Sequence, residues 1–463
     1  MPSSRSATPT GARTRGTTDA GYGSPVQAVP VEPVKPLIRV AAGDTPALIA
    51  QLRQAVLFDE AALAVLPVAG DAEPASADLV AGHVPGDVAL VVETSGSTDA
   101  PKRVMLSAGA LRASAGATEQ WFGGQHGQWL LALPATYIAG VQVLVRSILA
   151  GTEPVVMPQG HFDPLAFAAA SARLDPAGAR FTSLVPVQLA RLVEAAADDA
   201  AVADALRSFD RILLGGQAAP AGLVERAAGL GARVHRTYGS SETAGGCVYD
   251  GMLLPGVGVR IVGGEVQLSG PMLASGYLDD PGRTAEAFIT DADGTRWYRT
   301  GDLGELIPAD DGASRLRISG RADDVIISGG VKVALGEVER AIRGVPGFAE
   351  AVVVAADDAE WGQRPGVVVA IGEMTRTDAA RDGNDGSRHL GRADAATSAN
   401  LAALATATDA AGLAPAARPV RLLRLDALPL LASGKPDRRR LARLFADAAA
   451  EDVGAGFSEP DAN

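Results

Sequence analysis

Short apolar runs alternate with alanine-rich stretches between residues 88 and 214, and this alternation restricts the fold more than any other feature of the chain. Val88-Ala-Leu-Val-Val92, Trp129–Leu133, Pro154–Met157, Phe181–Val185 and Arg211–Leu214 read as strands bounded by turn residues. Pro164–Leu174 and Pro186–Ala197 read as intervening helices. Strand–helix alternation predicts an α/β domain with a largely parallel sheet. From Gly256 to Leu306 the pattern changes to short strands with glycine-rich turns, such as Gly264-Glu-Val-Gln-Leu-Ser-Gly270, which predicts a small β subdomain.

A second domain is expected from Arg321. It holds the apolar run Asp324–Ser328, a helix over Ala334–Arg343, the run Ala351–Ala355, and ordered chain resuming at Arg418–Leu423. With 463 residues, two domains are the natural expectation. The plan is a disordered tail over 1–36, a large domain over 37–320, a small α+β C-terminal domain over 321–450, and a disordered tail over 451–463. Residues 375–412, poor in large apolar groups, read as a flexible insertion in the small domain. The N-terminal tail is rich in Ser, Thr, Gly, Pro and Arg, a composition that a transit peptide shares.

Charge and cysteine content narrow the functional classes. A net charge of −13 argues against a nucleic-acid partner, because neutralising phosphates needs surplus Lys and Arg. An anionic small molecule stays open, since local charge decides a pocket. Cys247 is the only cysteine, so no intrachain disulfide forms. No apolar run reaches the roughly 18 residues of a membrane span, and no apolar leader is evident, so a cytoplasmic protein without membrane insertion is expected. The sequence does not set the oligomeric state; a homodimer is one option.

Thr94-Ser95-Gly96-Ser97-Thr98-Asp99-Ala100-Pro101-Lys102 directly follows the first strand. Small residues let backbone N–H groups approach phosphate oxygens, hydroxyls add donors, and Lys102 adds positive charge. The spacing is not that of a Walker A loop. A Ser/Gly/Thr cluster alone is also what a surface turn looks like. The full string resembles the phosphate signature of the adenylate-forming superfamily, which includes acyl-CoA synthetases, luciferases and peptide-synthetase adenylation domains. That family usually has Gly where Asp99 stands. Asp tolerates left-handed backbone, so the turn can survive with its carboxylate directed to solvent.

Further segments carry the resemblance in the family's order. Gly215-Gly216-Gln217-Ala218 resembles the loop flanking adenine. Tyr238-Gly239-Ser240-Ser241-Glu242-Thr243 resembles the Tyr-Gly-x-Thr-Glu segment, with Ser241 in place of Thr. It implies Tyr238 on the adenine and Glu242 on Mg²⁺. Tyr298-Arg299-Thr300-Gly301-Asp302 implies that Asp302 accepts hydrogen bonds from the ribose. Gly320-Arg321-Ala322-Asp323-Asp324 implies a hinge at Asp323 for a mobile small domain, with Arg321 reaching the nucleotide. Ser328-Gly329-Gly330-Val331-Lys332 implies the loop beside the CoA tunnel, and Leu431-Ala432-Ser433-Gly434-Lys435-Pro436-Asp437 the catalytic-lysine loop. Singly, these segments are ordinary turns, surface acids or a solvated lysine. Together the resemblance implies an AMP-forming acyl-CoA ligase using ATP, Mg²⁺ and CoA. Lys435, Glu242 and Lys102 would be its catalytic groups. Thr94, Ser95, Gly96, Ser97 and Thr98 would join Lys102 on the phosphates, and Gly216, Gln217, Tyr238, Gly239 and Ser241 would meet the rest of the nucleotide.

Within that superfamily, the short stretch before the phosphate loop and the segment Ala132–Arg146 resemble the o-succinylbenzoate–CoA ligases of menaquinone biosynthesis. So does Thr243-Ala-Gly-Gly-Cys-Val-Tyr-Asp250. The resemblance implies an acyl pocket of Tyr137, Arg146, Gly239, Thr243, Gly245 and Gly246, although Tyr137 stands where those ligases commonly have His. Arg146 falls among Val141, Val143, Leu144, Val145 and Ile148 on a helix, where a charge is costly unless paired. It either meets a substrate carboxylate, snorkels to solvent, or pairs with an internal acid. Cys247 has no evident His partner and reads as a small pocket or core residue. Another aryl or fatty acid, a carrier protein in place of CoA, or a nucleotide-binding pseudoenzyme are the alternatives.

Overall fold

The computed structural model describes residues 33–58, 64–68, 79–94, 101–158, 160–220, 222–309, 312–370, 389–390, 395–431 and 436–454. Two sheets with helices between them build the large domain. The first contains β1 (Val34–Ala41), β2 (Ala64–Val68), β3 (Leu79–Pro85), β4 (Val88–Thr94) and β5 (Lys102–Ser107), in the order β5-β4-β2-β1-β3. Here β1, β2 and β4 run parallel, and β3 and β5 antiparallel to their neighbours. A later strand, Gly276–Tyr277, pairs with β5. The second sheet runs from β6 (Gly127–Leu131), β7 (Val155–Val156), β8 (Ala179–Leu184) and β9 (Arg211–Leu214) to β10 (Val234–Ser240), β11 (Gly245–Tyr249) and β12 (Met252–Leu253). From β7 to β10 it is parallel; β11 and β12 turn antiparallel.

Three helices fill the space between these sheets: α1 (Thr45–Leu57), α2 (Ala108–Trp121) and α3 (Ile138–Ala150). They touch one another; α1 and α2 reach the first sheet, and α2 and α3 the second. One apolar core therefore runs through both sheets. Helices with neighbours on several sides must be apolar nearly all round. In α3, Gly140–Ile148 is buried without a break, including Gln142 and Arg146. Shorter helices, including Pro164–Ser171 and Pro186–Ala195, share a second core with the second sheet.

A third sheet follows, of Gly258–Val262, Glu265–Ser269, Phe288–Thr290, Arg296–Pro308 and Ser314–Arg321. It extends the expected β subdomain by its last strand. The smaller C-terminal domain is a sheet with cores on both faces. Leu335–Ile342 and Ala395–Ala410 cover one face, and Arg438–Gly454 the other. A side chain at Gly366 would place Cβ 2.3 Å from the Phe445 ring, so only glycine lets that last helix seat so closely. Among the described residues no helix is long and apolar enough to cross a membrane.

Two sequence expectations fail. The tail read as disordered over 1–36 gives way at Val34, because β1 pairs with both β2 and β3 and buries Leu37 and Ile38. The insertion read as flexible over 375–412 contains the helix Ala395–Ala410. Its alanines favour helix, and Leu404 and Thr408 are fully buried. Residues 375–388 and 391–394, and the tails at 1–32 and 455–463, lie outside the described residues. Other elements match to within a few residues, as with Gly127–Leu131 for Trp129–Leu133.

Candidate active site

In an open α/β sheet, ligands bind beyond the carboxyl ends of the parallel strands. The motifs lie at these ends. β4 ends at Thr94, β9 runs into Gly215-Gly216-Gln217, and β10 ends in Tyr238-Gly239-Ser240. Ser95, Gly96, Ser97, Thr98 and Asp99 lie outside the described residues. Thr94 and Lys102, at the loop's two ends, are paired across β4 and β5. Lys102 Nζ lies 5.6 Å from the centre of the Tyr277 ring. The Tyr277 hydroxyl donates to Glu242 Oε1 at 2.9 Å. Tyr277 therefore ties the base of the loop to the Tyr-Gly segment, a link that the sequence reading missed. Burial and the Glu242 carboxylate push its hydroxyl well above the usual phenol range, so it stays a donor.

Ser241, Glu242 and Thr243 form one helical turn, and Ala244 follows in left-handed backbone with φ 49°. Glu242 is buried, and its Oε2 has no hydrogen-bond partner among the described residues. Thr243 spends its hydroxyl on the Ser240 and Gly245 carbonyls, at 3.1 and 2.7 Å, and so shapes the turn. The Ala244 carbonyl accepts from Ser114 Oγ at 2.9 Å and from Gln142 Nε2 at 2.7 Å. Neither residue was anticipated. At Gly239 a Cβ would lie 2.1 Å from the Gly245 carbonyl oxygen, so the close approach of β10 and β11 requires glycine there.

The third sheet supplies the next cluster. Register places Asp302 opposite Arg321. Tyr238 donates to Asp302 Oδ2 at 2.6 Å, while Arg321 Nη1 lies 3.3 Å from Oδ1. Arg321 also grips Asp323 through Nε at 2.8 Å and Nη2 at 3.2 Å. Burial raises the Asp302 carboxyl above the usual carboxylate range, and the Tyr238 hydrogen bond and Arg321 oppose that rise. Burial also raises Asp323, but Arg321 outweighs it and holds the group below its ordinary value. The structure thus gathers Tyr238, Asp302, Arg321 and Asp323 at one place.

Tyr137 precedes α3 at its N-cap position, half-buried. Arg146 is buried and forms no ion pair with an acid among the described residues. It is 7% exposed, and among the described residues its only hydrogen bonds are from Nη2 to Thr118 Oγ1 at 3.2 Å and Tyr249 Oη at 3.4 Å. Its Nε is buried without a partner among the described residues. Burial lowers its pKa from the usual arginine value. Ser114, Ala117, Gly246 and Cys247 bound a small cavity. A side chain at Gly246 would meet the Tyr249 ring at 2.8 Å. Cys247 is buried, and burial pushes its thiol up to about 12. Cys247→Ala is therefore expected to leave turnover within about threefold, since the thiolate is the nucleophilic form and is absent near neutral pH. Native protein at pH 8 should likewise resist thiol alkylation; rapid labelling with loss of activity would contradict this.

In the small domain, Gly329 and Gly330 turn a hairpin, and Gly329 N donates to the Trp361 carbonyl at 2.9 Å. Lys435 lies outside the described residues. Its flanks are fixed by a bridge between Leu430 and Pro436 and by Asp437 N donating to the Pro429 carbonyl at 2.9 Å. Among the described residues no three acidic, His or Cys groups converge to cage a metal. Mg²⁺ that keeps its phosphate ligands needs only one or two protein carboxylates, and Glu242 with a free oxygen fits that demand.

Comparison with known proteins agrees with this arrangement. Residues 38–307 match the family described as AMP-binding enzyme, and residues 337–435 match the AMP-binding enzyme C-terminal domain. A Mycobacterium tuberculosis protein named "Probable 2-succinylbenzoate--CoA ligase" is 40% identical over 341 residues, 73% of this chain and 85% of that one. An E. coli MenE variant solved with bound OSB-AMS is 26% identical with a TM-score of 0.59, over 84% of this chain and 83% of the other. The Bacillus subtilis o-succinylbenzoate CoA synthetase solved with OSB-AMP is 24% identical with a TM-score of 0.61, over 87% and 82%, a likeness of fold.

Proposed function

Because the chain belongs to the AMP-binding enzyme family, we propose that it joins o-succinylbenzoate to CoA through an acyl-adenylate, at the expense of ATP. It is an AMP-forming acid–thiol ligase. The observation that carries the choice of acid is Arg146, a buried guanidinium with no carboxylate partner among the described residues. Leaving such a charge unpaired costs on the order of several kcal/mol. A substrate with a second carboxylate would offset that cost at the moment of binding. A fatty acid or simple aryl acid would not.

In the first step one substrate carboxylate attacks the α-phosphate of ATP and pyrophosphate leaves. In this reading Thr94, Lys102 and the hydroxyls between them hold the phosphates, and Glu242 holds the Mg²⁺ that accompanies ATP. The adenosine lies along Gly216, Gln217, Tyr238, Gly239 and Ser241. Asp302 and Arg321 take the ribose side. Hydrogen bonds from Tyr238 and from Arg321 give Asp302 a fixed orientation for accepting hydroxyl donors. Lys435 steadies the developing charge on the α-phosphate. Tyr137, Thr243, Gly245 and Gly246 line the acyl chain.

In the second step the CoA sulfur attacks the acyl carbonyl and AMP leaves. Pyrophosphate leaves from the α-phosphorus in the first step and AMP from the activated acyl carbon in the second, so no protein nucleophile is needed. Rotation of the small domain about Asp323 would exchange Lys435 for the Gly329–Gly330 turn at the site. The ion pair between Asp323 and Arg321 would steady one of the two orientations. A cytoplasmic setting, where ATP and CoA are available, belongs to the same proposal.

Pyrophosphate release from a panel of acids tests the reading. Turnover with o-succinylbenzoate should exceed that with benzoate, 4-phenylbutanoate and medium-chain fatty acids by at least about a hundredfold in kcat/KM, the size expected for a site built around a charged partner. A monocarboxylic acid processed equally well would overturn the choice of substrate. Replacing CoA by a phosphopantetheinyl carrier protein should give no thioester.

A further inference from the structure

Arg146 is held by two neutral hydroxyls from two other elements. Thr118 lies on α2 and Tyr249 at the end of β11. Both are buried, at 1% and 0% exposure. Their hydroxyl oxygens lie 2.9 Å apart. Thr118 donates its one hydroxyl hydrogen to the Ser114 carbonyl at 3.1 Å. The hydrogen in the Thr118–Tyr249 bond must therefore come from Tyr249. Each oxygen keeps a lone pair directed at Arg146 Nη2. The Trp129 ring lies 5.1 Å from the guanidinium carbon and gives the cation an aromatic face. Trp121 packs edge-on to the Tyr249 ring at 5.2 Å, and Gly246 leaves room for that ring.

The chemistry of these partners matters. An Asp or Glu here would orient Arg146 equally well, but it would neutralise the charge and repel an incoming carboxylate. Hydroxyls and an indole face orient the guanidinium and leave its charge uncompensated. We infer that Thr118 and Tyr249 are positioning residues that hold Arg146 as an oriented cation for a second carboxylate on the acyl substrate. This rests on the role given to Arg146 above and extends it to residues that do not themselves touch the acid.

The test is a steady-state comparison of o-succinylbenzoate with its analogue lacking the aromatic carboxylate, in the full-length enzyme. Variants are Tyr249→Phe, Thr118→Val, Arg146→Ala and the double variant Tyr249→Phe/Arg146→Ala. Each hydroxyl deletion should raise KM for the dicarboxylic acid roughly tenfold, as for loss of a hydrogen bond to a charged group. It should leave kcat, and KM for the monocarboxylic analogue, unchanged. In the Arg146→Ala background Tyr249→Phe should add nothing. Thr118→Val nearly preserves shape, so it answers the question if Tyr249→Phe folds poorly. An unchanged KM in both single variants, equal rises for both acids, or the same factor with and without Arg146 would overturn the positioning role. Those outcomes leave the role of Arg146 standing if Arg146→Ala still abolishes the preference for the second carboxylate. Should Arg146→Ala leave that preference intact, the role of Arg146 falls, and the inference with it.

Discussion

Lys435→Ala is expected to lower the rate of acyl-adenylate formation by roughly 10²–10³, the usual cost of removing one preorganised donor from developing charge. Thioester formation from supplied acyl-adenylate should stay within about threefold of wild type, because the proposed rotation of the small domain takes Lys435 away from the site before that step. Single-turnover assays of the two half-reactions give the split directly. Equal loss in both would contradict a lysine that serves only the first step. The anchored flanks favour a local effect. Leu430 and Pro436 remain bridged, and Arg438 remains bonded to buried Glu339 at 2.7 and 2.8 Å. An alanine between these anchors should not unseat the helix Arg438–Gly454.

Arg146→Ala should raise KM for o-succinylbenzoate by roughly 30-fold or more, matching the loss of about 2 kcal/mol or more when one partner of a buried charge pair is removed. KM for the analogue without the aromatic carboxylate should change little. The ratio of the two is the informative quantity, since loss of packing alone would affect both acids. A second variant separates binding from folding. Arg146→Met keeps most of the volume and removes a buried, uncompensated charge, so it should not lower Tm in the absence of substrate. Thr118 and Tyr249 keep their mutual hydrogen bond in that variant. A large fall in Tm would make Arg146 a structural residue instead.

Much of this site can be read along the chain because its groups sit where strands end. Val88–Thr94 is an apolar run that stops at the phosphate loop, and Val234–Ser240 stops at Glu242. Local pattern also marks Arg146 as a charge on an apolar helix, while leaving open whether it is buried. Its partners are another matter. Thr118 and Tyr249 are 28 and 103 residues away, and no local pattern links a helical threonine to a tyrosine at a strand end. Tyr277 was missed for the same reason: its bond to Glu242 depends on a short strand pairing with β5. The helix Ala395–Ala410 escaped because its buried face is small, with Leu404 and Thr408 at the centre and alanine around them. The tail is read too far because Pro36 suggests irregular chain, whereas it sits within β1 at a register shift in the pairing with β3.

The most direct measurement is the stoichiometry of products from o-succinylbenzoate, ATP and CoA, followed by ³¹P NMR and mass spectrometry. AMP, pyrophosphate and o-succinylbenzoyl-CoA should form in equal amounts, with none of the thioester when any one substrate is omitted. Formation of ADP and phosphate, or no AMP with this acid while a monocarboxylic acid turns over, would contradict it.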